Sequence, residues 1–491
     1  MPGSSVQPAS LLRSAAAPSL ARQPARELAR LIRTRAVSPV EVLDAHLKVI
    51  EQINPKLNAI VTLAADQARD AARRAESAVM KGEPLGPLHG LPVAIKDVTP
   101  TAGIRTTFAS PLYQDHVPVE DAEVVRRLKA AGAIVLAKTN TPEFACGAHT
   151  DSALFGPARN PWNPDLSPAG SSGGSAVAVA TGMVPIAQGT DFGGSVRVPA
   201  AFCGIVGLRP TPGLTPSYPM PLAWDQGQLH GPLARDAEDA ALMLDAIAGA
   251  SPLSPISVAA PWASALAELE RRGDANGLRV AYVADIAGIG VEPEIASICR
   301  DAALALRAAG ARVEEIEFDA SDGRGPYQTW RGFWMVGQQY ERLARIGEFG
   351  SNLKSSVEAG LKLTALDLAA AEQKRQEIFH RFRELFERFD VLLTPAAPVK
   401  PFPVAMNFPD RINGRALENY IDWMAPAYLI TLVSLPAATA PAGPTRDQLP
   451  VGIQVVAPRF GEPLILNVAR LIHRASGVGW PPAARTAAVP R

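Results

Sequence analysis

The sequence predicts an α/β protein: a single large domain built on a mixed, mostly parallel, twisted β-sheet with helices covering both faces. Two observations carry this prediction. Strand-like and helical segments alternate, as in residues 91–98, 122–132 and 133–138, and such alternation is typical of parallel strands joined by helical crossovers. The 491 residues also contain no inter-domain linker and no internal repeat, so one large domain accounts for the length better than several small ones.

The segments that precede the first of these strands are predicted to be helical. Residues 24–52 have apolar positions at helical spacing and predict two amphipathic helices, the second of which ends at Pro55. Residues 64–81 are rich in alanine and in alternating charges, which predicts an exposed helix. The apolar segment 91–98 then predicts a buried strand, with Lys96 near its end.

The rest of the chain continues the alternation after one long loop. Residues 139–168 are rich in turn-forming pairs such as Asn-Pro and Ser-Pro. A loop of this length is unusual where it only connects two elements, so it is a candidate pocket wall. A long surface loop without a function explains these residues equally well. Further helices are predicted at 236–247, 293–309 and within 325–388, and further strands at 278–283, 312–318 and 391–393.

The composition excludes several classes of function. Lys plus Arg and Asp plus Glu both number 48, so the net charge is zero, and no basic stripe marks a nucleic-acid partner. The longest apolar runs are well short of a membrane span. The three cysteines contain no C-x-x-C pair, and the seven histidines have no metal-ligand spacing. We therefore expect no nucleic-acid partner, no membrane, no metal, no cofactor and a reducing, cytoplasmic location.

The two ends of the chain are predicted to lie outside the domain. Residues 1–22 are rich in Ala, Ser and Pro and lack the continuous apolar region of a signal peptide, so we expect a poorly ordered segment. The domain is expected to span residues 23–478, and residues 479–491 are expected to form a C-terminal tail.

The stretch from Pro168 to Pro212 is the candidate functional region. Two clusters of glycine and serine, residues 170–175 and 193–195, flank an apolar segment that needs burial. Glycines allow backbone N–H groups to face a ligand, and serines can become nucleophiles beside a base. A flexible linker would not contain the apolar segment, a phosphate loop would continue with Lys, and a nucleophile elbow would read G-x-S-x-G.

Ser195 is the candidate nucleophile, and Lys96 is one candidate base. Ser195 follows two glycines, where several N–H groups can converge on an oxyanion, but a serine here can equally cap a helix that starts at Val196. His149 and His230 are alternative bases, although neither lies in a motif. A buried lysine at the end of a strand can be neutral near pH 7 and act as a base, whereas a solvated one cannot. The residues alone leave these alternatives open.

Longer motifs carry a resemblance to a known family. They are Gly86 to Asp97, Lys138 to Asn140, Phe155-Gly156, Asn160 to Trp162, Gly170 to Ser175, Gly189 to Arg197, Pro199 to Leu208, Gly231 to Arg235, Leu392 to Pro395 and Leu449 to Gln454. Together they resemble the signature of the amidase signature family, and the resemblance covers about residues 25–475. The family fold that it implies agrees with the α/β prediction.

The resemblance implies a Ser–cis-Ser–Lys triad. Matched by motif, Lys96 is the base, Ser171 is the relay serine that follows a cis peptide bond, and Ser195 is the nucleophile. The oxyanion donors fall on the backbone of Phe192, Gly193, Gly194 and Ser195. Structural support for this loop falls on Thr190, Asp191 and Arg197.

Two further features of the resemblance concern the substrate pocket. Phe192 occupies the variable position of the Thr-Asp-x-Gly-Gly-Ser motif and is expected to narrow the pocket beside the oxyanion donors, and Ala169 stands where the family often has glycine. The stretch that resembles the lining of the acyl pocket supplies three candidate substrate-binding residues: Ala145, Cys146 and Gly147.

The hypothesis is therefore a serine-dependent amidase that cleaves C–N bonds of small, aryl or alkyl amides through an acyl-enzyme, with carbamates (urethanes) and esters as further substrates. The alternative is the glutaminase-type component of a tRNA-dependent amidotransferase complex. A β-lactamase-type Ser-x-x-Lys site at Ser351 to Lys354 lacks the accompanying motifs. The expected partner is a small-molecule amide or carbamate. Family members are often homodimers, and the sequence marks no interface.

Overall fold

The computed structural model describes residues 20–485 of the chain. An eleven-stranded sheet runs through its centre, and a two-stranded hairpin lies apart from it. The strands, in chain order, are β1 (Ile60–Leu63), β2 (Pro92–Lys96), β3 (Ile134–Thr139), β4 (Ile186–Asp191), β5 (Val206–Arg209), β6 (Leu229–Ala234), β7 (Arg279–Tyr282), β8 (Arg312–Glu315), β9 (Val391–Pro395), β10 (Arg411–Ile412), β11 (Arg415–Ala416), β12 (Ala437–Pro444) and β13 (Pro450–Val456).

Helices cover both faces of the sheet. The α-helices are α1 (Ala25–Arg33), α2 (Pro39–Leu57), α3 (Ala65–Lys81), α4 (Glu123–Ala130), α5 (Gly173–Thr181), α6 (Arg197–Cys203), α7 (Ala237–Ile247), α8 (Ala265–Arg272), α9 (Pro293–Ala305), α10 (Arg324–Gln339), α11 (Ser351–Leu361), α12 (Ala365–Arg388), α13 (Ala425–Leu432), α14 (Glu462–Ala475) and α15 (Pro482–Arg485). Short 3₁₀ helices lie at Leu20–Arg22, Pro111–Tyr113, Glu143–Ala145, Leu306–Ala309, Ser321–Gly323, Tyr340–Glu348 and Asp422–Met424.

The sheet is mixed, as predicted. Its order is β1-β3-β2-β4-β6-β5-β12-β13-β9-β7-β8, so β1 and β8 form the edges. Parallel pairing joins β3, β2 and β4, and again β9, β7 and β8. The other neighbours pair antiparallel. Of these pairs, β12 and β13 are joined by a short turn, whereas pairs such as β12 with β5 join distant parts of the chain. The predicted single α/β domain with helices on both faces is confirmed, and its parallel character belongs to these two groups of three strands.

Alternate residues of the strands pack into different cores. Val93 and Ile95 of β2 join the core formed with α1, α4, α7, α8, α9 and α14, whereas Ala94 packs with α2, α3 and α5. Farther along the sheet, Val280 of β7 joins the first core, whereas Ala281 packs with α10 to α13. One face of the sheet therefore carries two groups of helices side by side, and the candidate site lies between them.

Two local features differ from the sequence prediction. The helix α2 does not end at Pro55 but continues to Leu57, and Asn58 closes it in a left-handed conformation by donating its N–H to the Asn54 carbonyl at 2.8 Å. A proline in the last turn removes one helical hydrogen bond, and the burial of Leu57 favours the extra turn. The strand β1 was not predicted, because its four residues are too few to show an alternating pattern.

The ends of the described chain pack on one another. The predicted loose segment 1–22 lies outside the described residues except for its last three, which form a 3₁₀ turn that buries Ala21. Arg22 donates to the Ala484 carbonyl at 2.7 Å, and the Arg235 guanidinium lies 3.4 Å from the centre of the Trp480 ring. Residues 20–22 and the first part of the predicted tail are thus ordered contacts of the domain. Across residues 20–485, no helix is both long enough and apolar enough to cross a membrane.

Candidate active site

Lys96 ends the interior strand β2 and is completely buried. Its Nζ lies 2.6 Å from Ser171 Oγ and 2.9 Å from Thr190 Oγ1. Burial lowers the pKa of Lys96 well below its ordinary value of 10.5, and the attraction of Asp191 opposes this effect only in part. The amine is thereby suited to be neutral and to accept a proton from the Ser171 hydroxyl.

Ser171 lies in the turn that leads into α5. The peptide bond between Gly170 and Ser171 is cis, and Ala169 before it has a left-handed φ of 60°. The Ser172 N–H donates to the Ser195 carbonyl at 3.0 Å, so the two glycine–serine clusters of the sequence are bonded to each other. The structure thus brings Lys96, Ser171 and the Ser195 loop into one place, although they are far apart in the chain.

Ser195 lies in the loop between β4 and α6 and is half-buried. The residue at the N-cap of α6 is Val196, and the helix has no side-chain capping hydrogen bond. The interpretation of Ser195 as a helix cap is therefore wrong. Its hydroxyl makes no hydrogen bond to any residue of the described range 20–485 and remains available for chemistry.

Asp191 organises the backbone of this loop. Its carboxylate accepts the N–H groups of Gly194 and Val196 at 3.0 and 3.1 Å and forms a fully buried ion pair with Arg197 at 2.9 Å. Arg209 lies 3.7 Å from the same carboxylate. Burial acts to raise the pKa of Asp191, but the two guanidiniums and the backbone amides bring it well below its usual range, so the residue stays ionised.

The loop presents a set of N–H groups beside Ser195. Within residues 20–485, the N–H groups of Phe192, Gly193 and Ser195 have no hydrogen-bond partner in the protein. The prediction for Gly194 needs correction, because its N–H already donates to Asp191. Gly194 serves the loop in another way: its φ of 106° is a left-handed conformation that favours glycine, and a Cβ there would lie 2.6 Å from Ala427 Cβ.

These groups open into a narrow space that we call the inner cavity. It has a volume of about 30 Å³, and both serines and the free N–H donors border it. Its lining residues come from segment 145–147, the turns that hold Ser171 and Ser195, the end of β4, helix α10, and the positions just before β6 and before the last 3₁₀ helix. They are Ala145, Gly147, Ser171, Thr190, Phe192, Gly193, Ser195, Gln228, Tyr327, Arg331, Trp334, Met335 and Ile421. The arrangement can hold a carbonyl carbon at Ser195 and its oxygen at unpaired N–H groups, as acyl transfer requires.

Phe192 narrows this cavity by packing against α10. Its ring stacks on Trp334 with the ring centres 4.7 Å apart and lies 5.0 Å from Trp330. A Cβ added to Gly227 would lie 1.9 Å from the Phe192 ring, so the ring is held from both sides. This position agrees with the expectation that Phe192 limits the space beside the oxyanion donors.

The predicted acyl-pocket stretch is divided between two spaces. Ala145 and Gly147 line the inner cavity. Cys146 instead borders an outer groove of about 470 Å³, lined by residues from segments 109–111, 142–153, 348–353 and 404–407. Its thiol lies 3.1 Å from the Tyr420 hydroxyl and 3.5 Å from Arg331 Nη2. Residues 145–147 therefore separate the inner cavity from the outer groove, and the assignment of Cys146 to the acyl pocket stays a prediction.

The alternative bases do not reach the candidate serines. His149 Nδ1 lies 2.6 Å from Ser167 Oγ, and His230 Nδ1 lies 2.9 Å from the Gln188 amide. Burial lowers the pKa of both imidazoles to about 4. Lys354 of the Ser-x-x-Lys sequence is half-exposed beside Glu358 at 4.0 Å. Among residues 20–485, no cluster of three or more His, Cys, Asp or Glu residues is placed to hold a metal ion.

Sequence reasoning left the role of α10 open. The aromatic residues of segment 325–375, Trp330 and Trp334 among them, fit either an apolar acyl or aryl pocket or ordinary helical core. In the structure, Tyr327, Arg331 and Trp334 line the inner cavity. Their spacing of four and three residues places them on one helix face, a signal that was present in the sequence. Arg209, the second guanidinium at Asp191, was missed, because nothing local links it to the loop.

We predict that Gly193→Ala lowers kcat by about 10²-fold to 10³-fold, as expected for a displaced oxyanion donor. The new Cβ would lie 2.5 Å from the Tyr327 hydroxyl. Tyr327 cannot yield, because its ring stacks on Tyr428 with the ring centres 4.0 Å apart, so the loop must move. Steady-state kinetics on an anilide substrate measures the loss.

The double variant Gly193→Ala/Tyr327→Phe is the matched control. Without the hydroxyl, the nearest Tyr327 atom to the new Cβ is 3.5 Å away, an ordinary contact, so most of the lost kcat should return relative to Tyr327→Phe alone. A double variant as slow as Gly193→Ala would show that the clash is not the cause.

Comparison with known proteins identifies the family of the chain. The Amidase family model matches residues 41–466. An acylamidase of Rhodococcus erythropolis is 36% identical, with 91% of this chain and 94% of the relative covered. A glutamyl-tRNA(Gln) amidotransferase subunit of Acidothermus cellulolyticus is 34% identical, with 93% and 95% covered. The crystal structure of a bacterial aryl acylamidase of the amidase signature family superposes with a TM-score of 0.87 at 28% identity, covering 93% of this chain and 96% of that one. The chain belongs to the amidase signature family and is an amidohydrolase.

Proposed function

We propose that the protein is a serine-dependent amidase that hydrolyses the C–N bonds of small aryl and alkyl amides through an acyl-enzyme on Ser195. The observation that carries the proposal is the buried Lys96 Nζ, 2.6 Å from Ser171 Oγ, beside a nucleophile loop with unpaired N–H groups. The similarity to the acylamidase and to the aryl acylamidase structure supports amides with an acyl or aryl part.

The chemistry follows from these positions. Neutral Lys96 takes the proton of the Ser171 hydroxyl, and Ser171 takes that of Ser195 as its oxygen attacks the amide carbon. The oxyanion is stabilised by the N–H groups of Phe192, Gly193 and Ser195. The proton returns through Ser171 to the leaving amine, the C–N bond breaks, and water then cleaves the acyl-enzyme along the same relay.

The proposal is tested by capture of the acyl-enzyme. Purified protein is mixed with a 4-nitroanilide and quenched, and peptide mass spectrometry is expected to locate the acyl group on Ser195. Carbamates and esters of similar size extend the test to those substrate classes, because amides, carbamates and esters are all cleaved by the same attack on a carbonyl carbon. An acyl group on another residue, or turnover without a covalent intermediate, would contradict the proposal.

We predict that kcat/KM falls with a single ionisation on the acid side and is level at pH values above the pKa of Lys96. The active form is the neutral amine of Lys96, so activity is lost as the pH falls through its pKa. Because burial lowers that pKa well below 10.5, the acid limb lies well below the range of an ordinary lysine. Initial rates on an uncharged anilide across this range, with recovery checked at pH 8, give the profile.

A second buried lysine provides the control for this profile. Lys138 on β3 is also completely buried, and burial lowers its pKa to about 7. Its amine donates to the Thr99 carbonyl and to Thr106 rather than to a cavity serine. Lys138→Met should therefore keep the acid limb in place. If the acid limb moved in Lys138→Met, the ionisation would belong to Lys138 and not to Lys96.

A glutaminase role within an amidotransferase complex is the second candidate, and the amidotransferase relative at 34% identity favours it. The chain alone would then release ammonia from glutamine, and release would rise when partner proteins were added. Anilide turnover by the isolated chain without glutamine turnover would exclude it.

The three cysteines, all buried with free thiols, agree with the proposed cytoplasmic location.

A further inference from the structure

Arg331 is the single charged side chain among the described residues that line the inner cavity. It lies on α10 one turn after Tyr327 and is 8% exposed. The other lining groups are apolar, hydroxyl or amide side chains and glycines, and Lys96 lies behind Ser171. The electrostatic character of the cavity therefore depends on this guanidinium.

The partners of Arg331 are all neutral groups. Its Nη1 donates to Ser356 Oγ at 3.2 Å, and its Nη2 donates to Cys146 Sγ at 3.5 Å and to the Tyr420 hydroxyl. Within residues 20–485 no carboxylate lies within 4.0 Å of it. A guanidinium has five N–H donors, so three are used and two remain.

The cation is thus buried without an anion. Burial opposes the charge, but a guanidinium stays protonated in proteins, and burial raises the pKa of Tyr420 so that the phenol stays protonated as well. The buried Arg197 and Arg209 differ from Arg331 in this respect, because both lie within 4.0 Å of the Asp191 carboxylate. A buried charge that lacks such a partner costs stability until one is supplied.

We propose that Arg331 binds a carboxylate on the acyl part of the substrate, so that the enzyme prefers amides whose acyl group ends in a short carboxylate. The inference rests on the proposed function and names its substrate class. The two unused donors are the Nε–H and one Nη1–H, and either can donate a charge-assisted hydrogen bond to a carboxylate oxygen. The carboxylate also neutralises the unpaired cation. The small volume of the inner cavity limits the acyl part to a few carbons.

Glutamine fits this cavity less well than a simple half-amide of a dicarboxylic acid. Its carboxylate suits Arg331, but its ammonium would need a carboxylate partner, and none of the described lining residues supplies one. The charge of the cavity therefore favours an acyl group that is an anion over one that is a zwitterion.

The test compares two isosteric 4-nitroanilides, succinyl and 4-methylpentanoyl, in which a carboxylate replaces an isopropyl group of the same shape. The wild type is expected to favour the succinyl substrate by at least about tenfold in kcat/KM, and Arg331→Met to lower that value by about 100-fold, mainly through KM. The neutral substrate should change much less. Equal losses on both substrates, or a wild-type preference for the neutral one, would overturn the proposal.

Two further arms separate this inference from the proposed function. The acetyl amide of 4-aminobenzoate carries its carboxylate on the leaving group. If the enzyme preferred it to the succinyl anilide, the assignment of the carboxylate to the acyl part of the substrate would be wrong. Succinate binding to Ser195→Ala, followed by thermal shift, is expected to be lost in Ser195→Ala/Arg331→Met. If the wild type hydrolysed neither anilide, the acyl-enzyme proposal would fail, but loss of succinate binding in the double variant would still support the Arg331 site. If Ser195→Ala did not bind succinate, the Arg331 site itself would be overturned.

Discussion

Ser195→Ala is expected to lower kcat for amide hydrolysis by about 10⁴-fold or more, because the variant keeps the oxyanion donors but has no oxygen to attack the carbonyl. The Ser195 hydroxyl makes no hydrogen bond within the described residues, so its removal should leave the thermal midpoint nearly unchanged. Adding Lys96→Met to Ser195→Ala should cost little more, since the two residues act as one unit. Progress curves for anilide release, with thermal unfolding on the same samples, measure both quantities.

Ser175→Ala is the matched control with the opposite signature. Ser175 is buried on α5, where its hydroxyl donates to the Gln188 carbonyl at 3.0 Å and lies 2.7 Å from Thr139 Oγ1. Its loss should cost about 1 kcal/mol of stability with kcat within a few-fold of the wild type. If Ser195→Ala retained turnover near that of Ser175→Ala, the nucleophile would have to be sought elsewhere.

Asp191→Ala is expected to destabilise the protein by about 3–5 kcal/mol, the range for breaking a buried ion pair by removing one partner. The substitution leaves Arg197 and Arg209 as buried cations without their anion. It also leaves the Gly194 and Val196 N–H groups without an acceptor, so the nucleophile loop loses its support and kcat should fall as well. The midpoint of urea unfolding and the anilide rate are the two measurements.

Asp390→Ala provides the comparison at an exposed site. Asp390 pairs with Arg279 at 2.7 Å, and the two side chains are 32% and 45% exposed. Exposed pairs contribute about 1 kcal/mol or less, so this variant should unfold close to the wild type. Equal unfolding midpoints for Asp191→Ala and Asp390→Ala would refute the role given to Asp191.

The sequence predicts the strands and the catalytic segments well where the pattern is long. The apolar run before Lys96 predicted β2, and the family motifs placed Ser171 and Ser195 in loops that the structure bonds together. By contrast, the antiparallel middle of the sheet depends on which distant strands become neighbours, and no local pattern records this. Pairing of β12 with β5 joins residues more than 200 positions apart.

Details of the site depend on tertiary contacts in the same way. That Gly194 donates to Asp191 while Gly193 stays free could not be read from two adjacent glycines. The contacts of Cys146 with Tyr420 and Arg331 could not be predicted either, because both partners lie far along the chain. Arg331 resembles any helix-face arginine until α10 is packed against the nucleophile loop.

The edges of the sheet have a consequence for how copies of the protein can associate. An eleven-stranded sheet invites aggregation if its outer strands are long, flat and apolar. Here β8 reads Arg-Val-Glu-Glu with three of its four side chains exposed, and β1 is four residues long with a bulge between Ile60 and Thr62. Charge at one edge and irregular pairing at the other discourage a second copy from adding its strands. A homodimer of this protein should therefore form through helices, and fibril-like growth from the folded state should be slow.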